Sequence, residues 1–246
     1  MNTRNNTILI TGGGSGIGFA IARLFAENDN TIIITGRNEE RLQKAVARLK
    51  NTSYIVSDVT SEKDVEQLAA RLQKDFPALN MVINNAGSAS IYNLANSDDA
   101  FSKAGAEMLT NYLAPIRLNE KLLPLLKKQP SAAIVTVTSI VAIAPGKTIP
   151  TYSASKAALH SYTQSLRLSL EKDTNIRVFE LLPPLVNTEF SQEIGGSNGI
   201  PPEEVATDLL SGIEQDIDEI RVGFTADFYK MFLASPVEAL QRFNDR

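Results

Sequence analysis

Along the chain, short runs of β-branched and aliphatic residues alternate with longer stretches in which apolar residues recur every three or four positions. The short runs at Thr7 to Thr11, Thr31 to Thr35, Ser53 to Ser57, Asn80 to Asn84, Ala132 to Thr138, Ile176 to Leu182 and Glu219 to Gly223 predict seven strands. Runs this apolar suit strands covered on both faces, and their alternation with helical segments predicts an α/β, doubly wound, Rossmann-type parallel sheet with helices on both sides. No repeat, low-complexity tract or long Pro/Gly linker breaks the pattern, so residues 1–246 are expected to form a single domain.

Two helical patterns are long. One spans Asp99 to Lys128 and contains Asn111 and Pro115. Pro115 lacks the N–H that would bond the carbonyl of Asn111, so a helix through both is expected to kink and leave that carbonyl to another donor, with an ordered water the natural one. The other pattern is entered at Tyr152 and continues through Ala157, Ala158, Leu159, Tyr162, Leu166 and Leu170. Tyr152 and Lys156 share one face of it, because side chains four apart on a helix are neighbours. A cation at ~4 Å in an effective dielectric of ~20 contributes roughly 4 kcal/mol, enough to draw a phenol about three pH units down from ~10. The pair is thus expected to exchange protons near neutral pH. The structural alternative is a packed ring beside a solvated charge.

The first predicted strand runs into Thr11-Gly12-Gly13-Gly14-Ser15-Gly16-Ile17-Gly18 and then a helix through Ala20, Ile21, Leu24 and Phe25. A strand, a glycine turn and a helix start make a phosphate site: Gly12 permits the turn, Gly16 lets backbone N–H groups reach a pyrophosphate, and Gly18 lets the helix approach the sheet. A flexible loop is the plainer reading. The spacing is T-G-x-x-x-G-x-G rather than G-x-G-x-x-G. At the end of the second strand, where an acidic residue would mark NAD, the chain reads Thr35-Gly36-Arg37-Asn38. Arg37 offers a permanently charged fork for a 2′-phosphate, which predicts NADP(H) over NAD(H); a solvated surface arginine is the alternative.

Asp58-Val59 and Asn84-Asn85-Ala86-Gly87 fall at strand carboxyl ends, where open α/β sheets bind ligands. Asp58 can accept from an adenine amino group or cap the next helix, with Ser61 as the competing cap. Asn85-Ala86-Gly87 also suits an ordinary turn. Ser139 ends the fifth strand, as a cap or turn former or as a holder of a substrate oxygen in line with Tyr152.

Composition narrows the partners. A formal charge of -4 argues against nucleic acid or an anionic membrane surface and leaves a small molecule. There are no cysteines and one histidine, His160, so disulfides, thiolate nucleophiles and a histidine-built metal site are not expected. The polar segment Met1 to Asn6 leads into the first strand, so neither a secretory signal nor a membrane span is expected, and the cytoplasm is the expected location.

Taken in order, Thr11-Gly12-x-x-x-Gly16-Ile17-Gly18, Asp58-Val59, Asn84-Asn85-Ala86-Gly87, Asn111, Ser139, Tyr152-x-x-x-Lys156 and Pro183-Pro184-Leu185-Val186-Asn187-Thr188 resemble the motifs of the short-chain dehydrogenase/reductase family, single-domain branch. The resemblance covers most of the chain. It implies that Tyr152 is the general acid/base, that Lys156 depresses its pKa and holds the nicotinamide ribose, and that Ser139 orients the reacting oxygen. Asn111 would support a water-linked proton relay to Lys156. The cofactor would contact Gly12, Ser15, Gly16, Ile17, Gly18, Arg37, Asp58, Val59, Asn85, Ala86, Gly87, Tyr152, Lys156, Pro183, Val186 and Thr188. A small, uncharged or apolar carbonyl or alcohol would face Ser88 to Ile91, Ile140 to Ile143, Lys147, Ile149 and Leu185, with residues 188–203 as the substrate loop.

Two departures stand out. Pro184 replaces the family's common glycine, removing an N–H near the nicotinamide carboxamide. The segment from Phe224 to Arg246 replaces a glycine-closed strand that builds a tetramer contact in many members, which leaves a homodimer through the helices after strands four and five. A non-catalytic NADP(H)-binding sensor or scaffold is the rival function, since a fold does not dictate an activity. A sugar-nucleotide epimerase or dehydratase of the longer relatives is a second rival, for which the chain is too short.

Overall fold

The computed structural model, which describes residues 1–245, turns the seven apolar runs into the strands β1 (Thr7–Thr11), β2 (Thr31–Gly36), β3 (Thr52–Val56), β4 (Leu79–Asn84), β5 (Ala132–Val137), β6 (Ile176–Leu182) and β7 (Glu219–Arg221). They form one parallel sheet in the order β3-β2-β1-β4-β5-β6-β7. The winding reverses between β1 and β4.

Side chains on a strand alternate faces, and each face here has its own core. Ile8, Ile10, Ile32, Ile34, Met81, Ile83, Phe179 and Leu181 pack on one side against α1 (Gly16–Glu27), α2 (Glu39–Val46) and α7 (Pro202–Glu214). Leu9, Ile33, Val82, Ile134 and Val178 pack on the other, under α3 (Glu62–Asp75), α5 (Ala114–Leu126) and α6 (Pro150–Leu170). This is why the central strands β1, β2, β4 and β5 read as nearly continuous apolar runs, while the edge strands β3 and β7 do not.

The long pattern between Asp99 and Lys128 is not one regular helix. It divides into α4 (Ala100–Met108), a π-turn over Leu109–Leu113, and α5. In the π-turn Ala114 N–H donates to the Leu109 carbonyl five residues back. Pro115 follows directly, at the start of α5, and has no N–H to offer the Asn111 carbonyl. The interruption expected at Asn111 therefore takes the form of a widened turn. The predicted strand Ser53 to Ser57 begins one residue earlier and ends at Val56, and the run from Glu219 stops at Arg221 because Gly223, at φ +49, turns the chain. Two unforeseen helices follow, α8 (Phe224–Ala234) and α9 (Pro236–Asn244). They bury Phe228 and Ala239 with Ile140, Val141, Ala144 and Ile149 in a third core beside the sheet's carboxyl edge. Among the described residues no helix is long and apolar enough to cross a membrane.

Candidate active site

The carboxyl ends of β1 and β4 meet through one threonine. Thr11 Oγ1 accepts from the backbone N–H groups of Asn85 and Ala86, both at 3.0 Å, while Asn85 Nδ2 donates to the carbonyls of Thr11 and Gly12 at 3.0 and 3.2 Å. The approach is so close that a Cβ on Gly12 would lie 3.1 Å from Ala86 Cα, and one on Gly18 would lie 2.5 Å from the Gly12 carbonyl oxygen. Gly16 takes φ +54, a conformation that side chains resist, and packs on the Thr188 methyl. Ser15 caps α1 without a side-chain hydrogen bond and the first turn holds no acid, so its N–H groups are free to meet an anion.

A cleft of about 1180 Å³ opens along these ends. Gly12, Ser15, Gly16, Ile17, Arg37, Asp58, Val59, Asn85, Ala86 and Gly87 line one half. Ser139, Tyr152, Lys156, Pro183, Val186 and Thr188 line the other. Gly18 and Asn111 stand behind the wall. Glycine placement and chain crossing explain Gly18; Asn111 is held differently, its Oδ1 accepting from Ser88 N–H and its Nδ2 donating to Ser88 O, both at 2.8 Å, and to Ser155 Oγ at 2.9 Å. It makes no hydrogen bond to Lys156. Both groups nevertheless border Gly87, where a Cβ would lie 3.3 Å from Asn111 Oδ1 and 3.8 Å from Lys156 Nζ.

The helix-cap question at the third strand resolves in favour of Ser61, which accepts from Asp64 N–H at 3.2 Å. Asp58 instead takes Thr60 N–H and Oγ1 on one carboxylate oxygen, leaving it at the cleft wall. Arg37 is exposed and makes no ion pair among the described residues. Arg41, one turn on, also lines the cleft; the sequence reading missed it, although the four-residue spacing from Arg37 was visible. Its bridge to Glu189 at 3.2 Å is exposed, worth under about 1 kcal/mol, and leaves the guanidinium available. Three hydroxyls along the cleft, those of Thr35, Ser57 and Ser88, are buried with no partner. Unpaired buried hydroxyls, an uncapped helix start and glycines that a Cβ would block together fit a polar, phosphate-bearing ligand.

In the other half, α6 delivers Tyr152 and Lys156 as its spacing requires, with Lys156 Nζ 5.6 Å from the Tyr152 ring centre. The expected electrostatics do not follow. Lys156 is itself buried, donates to the Val137 carbonyl at 2.8 Å, and has its pKa pushed down to about 8 by desolvation. Burial pushes the Tyr152 phenol above its ordinary value; the Ser139 hydrogen bond opposes this, and the carboxylate of Glu107 on α4 adds to it. The spacing rule gives proximity but not the solvent around the pair, and burial here raises the phenol and lowers the ammonium. Glu107, buried, accepts from Ser90 N–H at 2.6 Å and from the Thr151 hydroxyl, tying the segment after β4 to the start of α6.

Of the positions expected to face a substrate, Ser88, Ala89, Ile140, Val141, Lys147, Ile149 and Leu185 line the cleft, and Ser90, Ile91, Ala142 and Ile143 do not. Phe224, Phe243 and Asn244 complete it from α8 and α9. Asn244 accepts from Lys147 N–H at 2.7 Å and donates to the Pro145 carbonyl at 3.0 Å, fixing α9 against this rim. The Pro183 carbonyl accepts Ile140 N–H at 2.9 Å, so the Pro-Pro turn holds β5 and β6 together at the site.

A doubly wound sheet with a glycine-turned strand–helix junction at its reversal point is a dinucleotide-binding fold. The chain matches the model of the short chain dehydrogenase family over residues 6–198, and it belongs to that oxidoreductase family. It is 38% identical over 225 residues to the uncharacterized oxidoreductase DltE of Bacillus subtilis (strain 168), covering 89% of each chain. It is 31% identical to the uncharacterized oxidoreductase MW2403 of Staphylococcus aureus (strain MW2), over 87% of this chain and 95% of that one. Among solved structures it resembles in fold a short chain dehydrogenase from Burkholderia cenocepacia J2315 in complex with NADP (TM-score 0.88, 24% identity, 99% of both chains). It also resembles one from Burkholderia phymatum in complex with NAD (TM-score 0.84, 21% identity, 89% of both chains).

Proposed function

We propose that the protein is an NADP(H)-dependent oxidoreductase that interconverts the carbonyl and alcohol forms of a small, uncharged or apolar substrate, with Tyr152 as general acid/base. The observation that carries the reading is the convergence of Tyr152, Ser139 and Lys156 at the carboxyl end of β5, in one cleft with the glycine cradle. The nicotinamide supplies or accepts a hydride at its C4. The phosphates belong to the turn Gly12 to Gly18, the adenosine end to Asp58 and Val59, and the nicotinamide end to Asn85, Ala86, Gly87, Pro183, Val186 and Thr188.

Protonated Tyr152 suits the donor role in carbonyl reduction. Ser139, which lines the same cleft and favours the ionised phenol, orients both the phenol and the reacting oxygen. As Tyr152 gives up its proton, the Lys156 ammonium stabilises the phenolate left behind. Asn111, bordering Gly87 together with Lys156, supports the water-linked path that returns a proton. NADP(H) is preferred because Arg37 and Arg41 stand at the end of β2, while Glu39 receives the Tyr54 hydroxyl and Glu40 pairs with Lys44. An apolar substrate fits the wall of Ile140, Val141, Ile149, Leu185 and Ile194. Residues 188–203 act as the substrate loop, supported by Phe190, whose ring centre lies 6.0 Å from that of Tyr152. The exposed Phe101 on α4 and Leu168 on α6 support a homodimer through these helices, which light scattering tests directly. The lack of cysteine accords with a cytoplasmic setting.

The decisive test is NADPH oxidation over a panel of aldehydes and ketones, with the Tyr152→Phe protein run in parallel. Turnover of at least one carbonyl that disappears in the variant supports the reading, and turnover that survives in it refutes the role of Tyr152. Binding of NADPH without turnover of any carbonyl would favour the sensor reading.

A further inference from the structure

Glu180 is the one acid in an otherwise apolar stretch of β6, and it is fully buried. Burying an unpaired carboxylate costs several kcal/mol, so its partners matter. Thr138 Oγ1 donates to Glu180 Oε1 at 2.6 Å, and His160 Nδ1 lies 2.9 and 2.8 Å from its two oxygens. Both partners adjoin the reacting pair. Thr138 follows Val137, whose carbonyl receives Lys156 Nζ, and His160 follows Lys156 by one helical turn, as Lys156 follows Tyr152. His160 keeps 26% of its side chain exposed, so it joins the buried carboxylate to solvent.

We propose that Glu180, held by Thr138 and His160, is the buried counter-charge that keeps the Lys156 ammonium protonated, and is thereby a positioning residue for proton exchange at Tyr152. The inference rests on the function proposed above. Its logic is a balance of fields. Burial disfavours the Lys156 cation, and Glu180 acts in the opposite sense. The same carboxylate raises the pKa of His160. Other charges face these groups: Glu219 and Arg221 from β7 towards His160, and Glu107 from α4 towards Tyr152. Removing the Glu180 charge leaves Lys156 in a less negative field, and it then releases its proton at lower pH.

The test compares pH profiles of kcat/KM for NADPH-dependent carbonyl reduction in the wild type, Glu180→Gln and His160→Gln, with Tyr152→Phe as control. Glu180→Gln should move the alkaline limb to lower pH by about one unit, the scale of a nearby charge. His160→Gln should move that limb less, because it leaves the Glu180 carboxylate in place. A limb unmoved in Glu180→Gln, or moved equally in both variants, overturns the proposal, the latter because loosened packing would then explain it. His160 is the only histidine, so its NMR titration in the cofactor-free protein needs no assignment. It should titrate above the ordinary histidine range in the wild type and fall in Glu180→Gln. A wild-type value at or below the ordinary range overturns the proposal even if the variant fails to fold. Turnover retained in Tyr152→Phe would instead sink the proposed function, leaving the titration to judge the charge pair.

Discussion

The two halves of the cleft are built from opposite materials. Around β1, β2 and β4 the wall is backbone: glycines stripped of Cβ atoms, an uncapped helix start, and strand ends joined by Thr11 and Asn85. Around β5, α6 and β6 it carries the buried polar side chains of Thr138, Ser139 and Lys156, with buried Glu180 behind them. The first half works by leaving room and the second by holding charge. Substitutions should therefore act sterically in one and electrostatically in the other.

The contrast breaks most visibly at Tyr152. Tyr152→Phe removes one oxygen from the charged half and should lower kcat on the order of 10²- to 10⁴-fold, with the Kd for NADPH held. A variant that keeps half its turnover across pH would erase the distinction. Arg37→Ala, a charge placed at the rim of the backbone half, should weaken NADPH by roughly 10- to 150-fold and NADH little, as measured by fluorescence titration. Equal losses for both cofactors would mean that Arg37 does not read the 2′-phosphate. In Gly18→Ala the new methyl meets the Gly12 carbonyl at 2.5 Å. The loop must shift, and urea unfolding should show a loss of about 1–3 kcal/mol together with weaker cofactor binding. Unchanged stability would show that the cradle has slack. The smallest effect is expected at Asn38, which caps α2 by accepting Arg41 N–H at 2.9 Å. Asn38→Ala should cost about 1 kcal/mol in the same assay, separating helix capping from phosphate reading.

The backbone half was the more legible from sequence. Glycines at a strand–helix junction state their purpose locally, and the runs Thr7–Thr11 and Ile176–Leu182 end where polar residues, glycine or proline stop them. The charged half was legible only in position. Tyr152 and Lys156 could be placed side by side by helical spacing, yet the balance between attraction and desolvation depends on what covers them, and that comes from other elements. The pairing of Glu180 with His160 spans 20 residues and two elements; the only local sign was an acid within an apolar run. Helices α8 and α9 escaped notice because Gly223 and Pro236 were not read as the turn and helix start that they are. The widened turn at Asn111 was foreshadowed by Pro115, though not its form.

The Thr11–Asn85 junction also has a consequence for the order in which the molecule acquires its shape. Its partners lie 74 residues apart, and the parallel pairing of β1 with β4 cannot form before the intervening chain has closed on itself. Helices and turns that need only near neighbours form sooner, and closure of so long a loop is paid in chain entropy before any contact returns it. The glycine turn can exist early, but its far wall cannot. Ability to bind a dinucleotide is thus a late product of folding, and a ligand that spans the junction selects the closed chain by mass action and slows its opening.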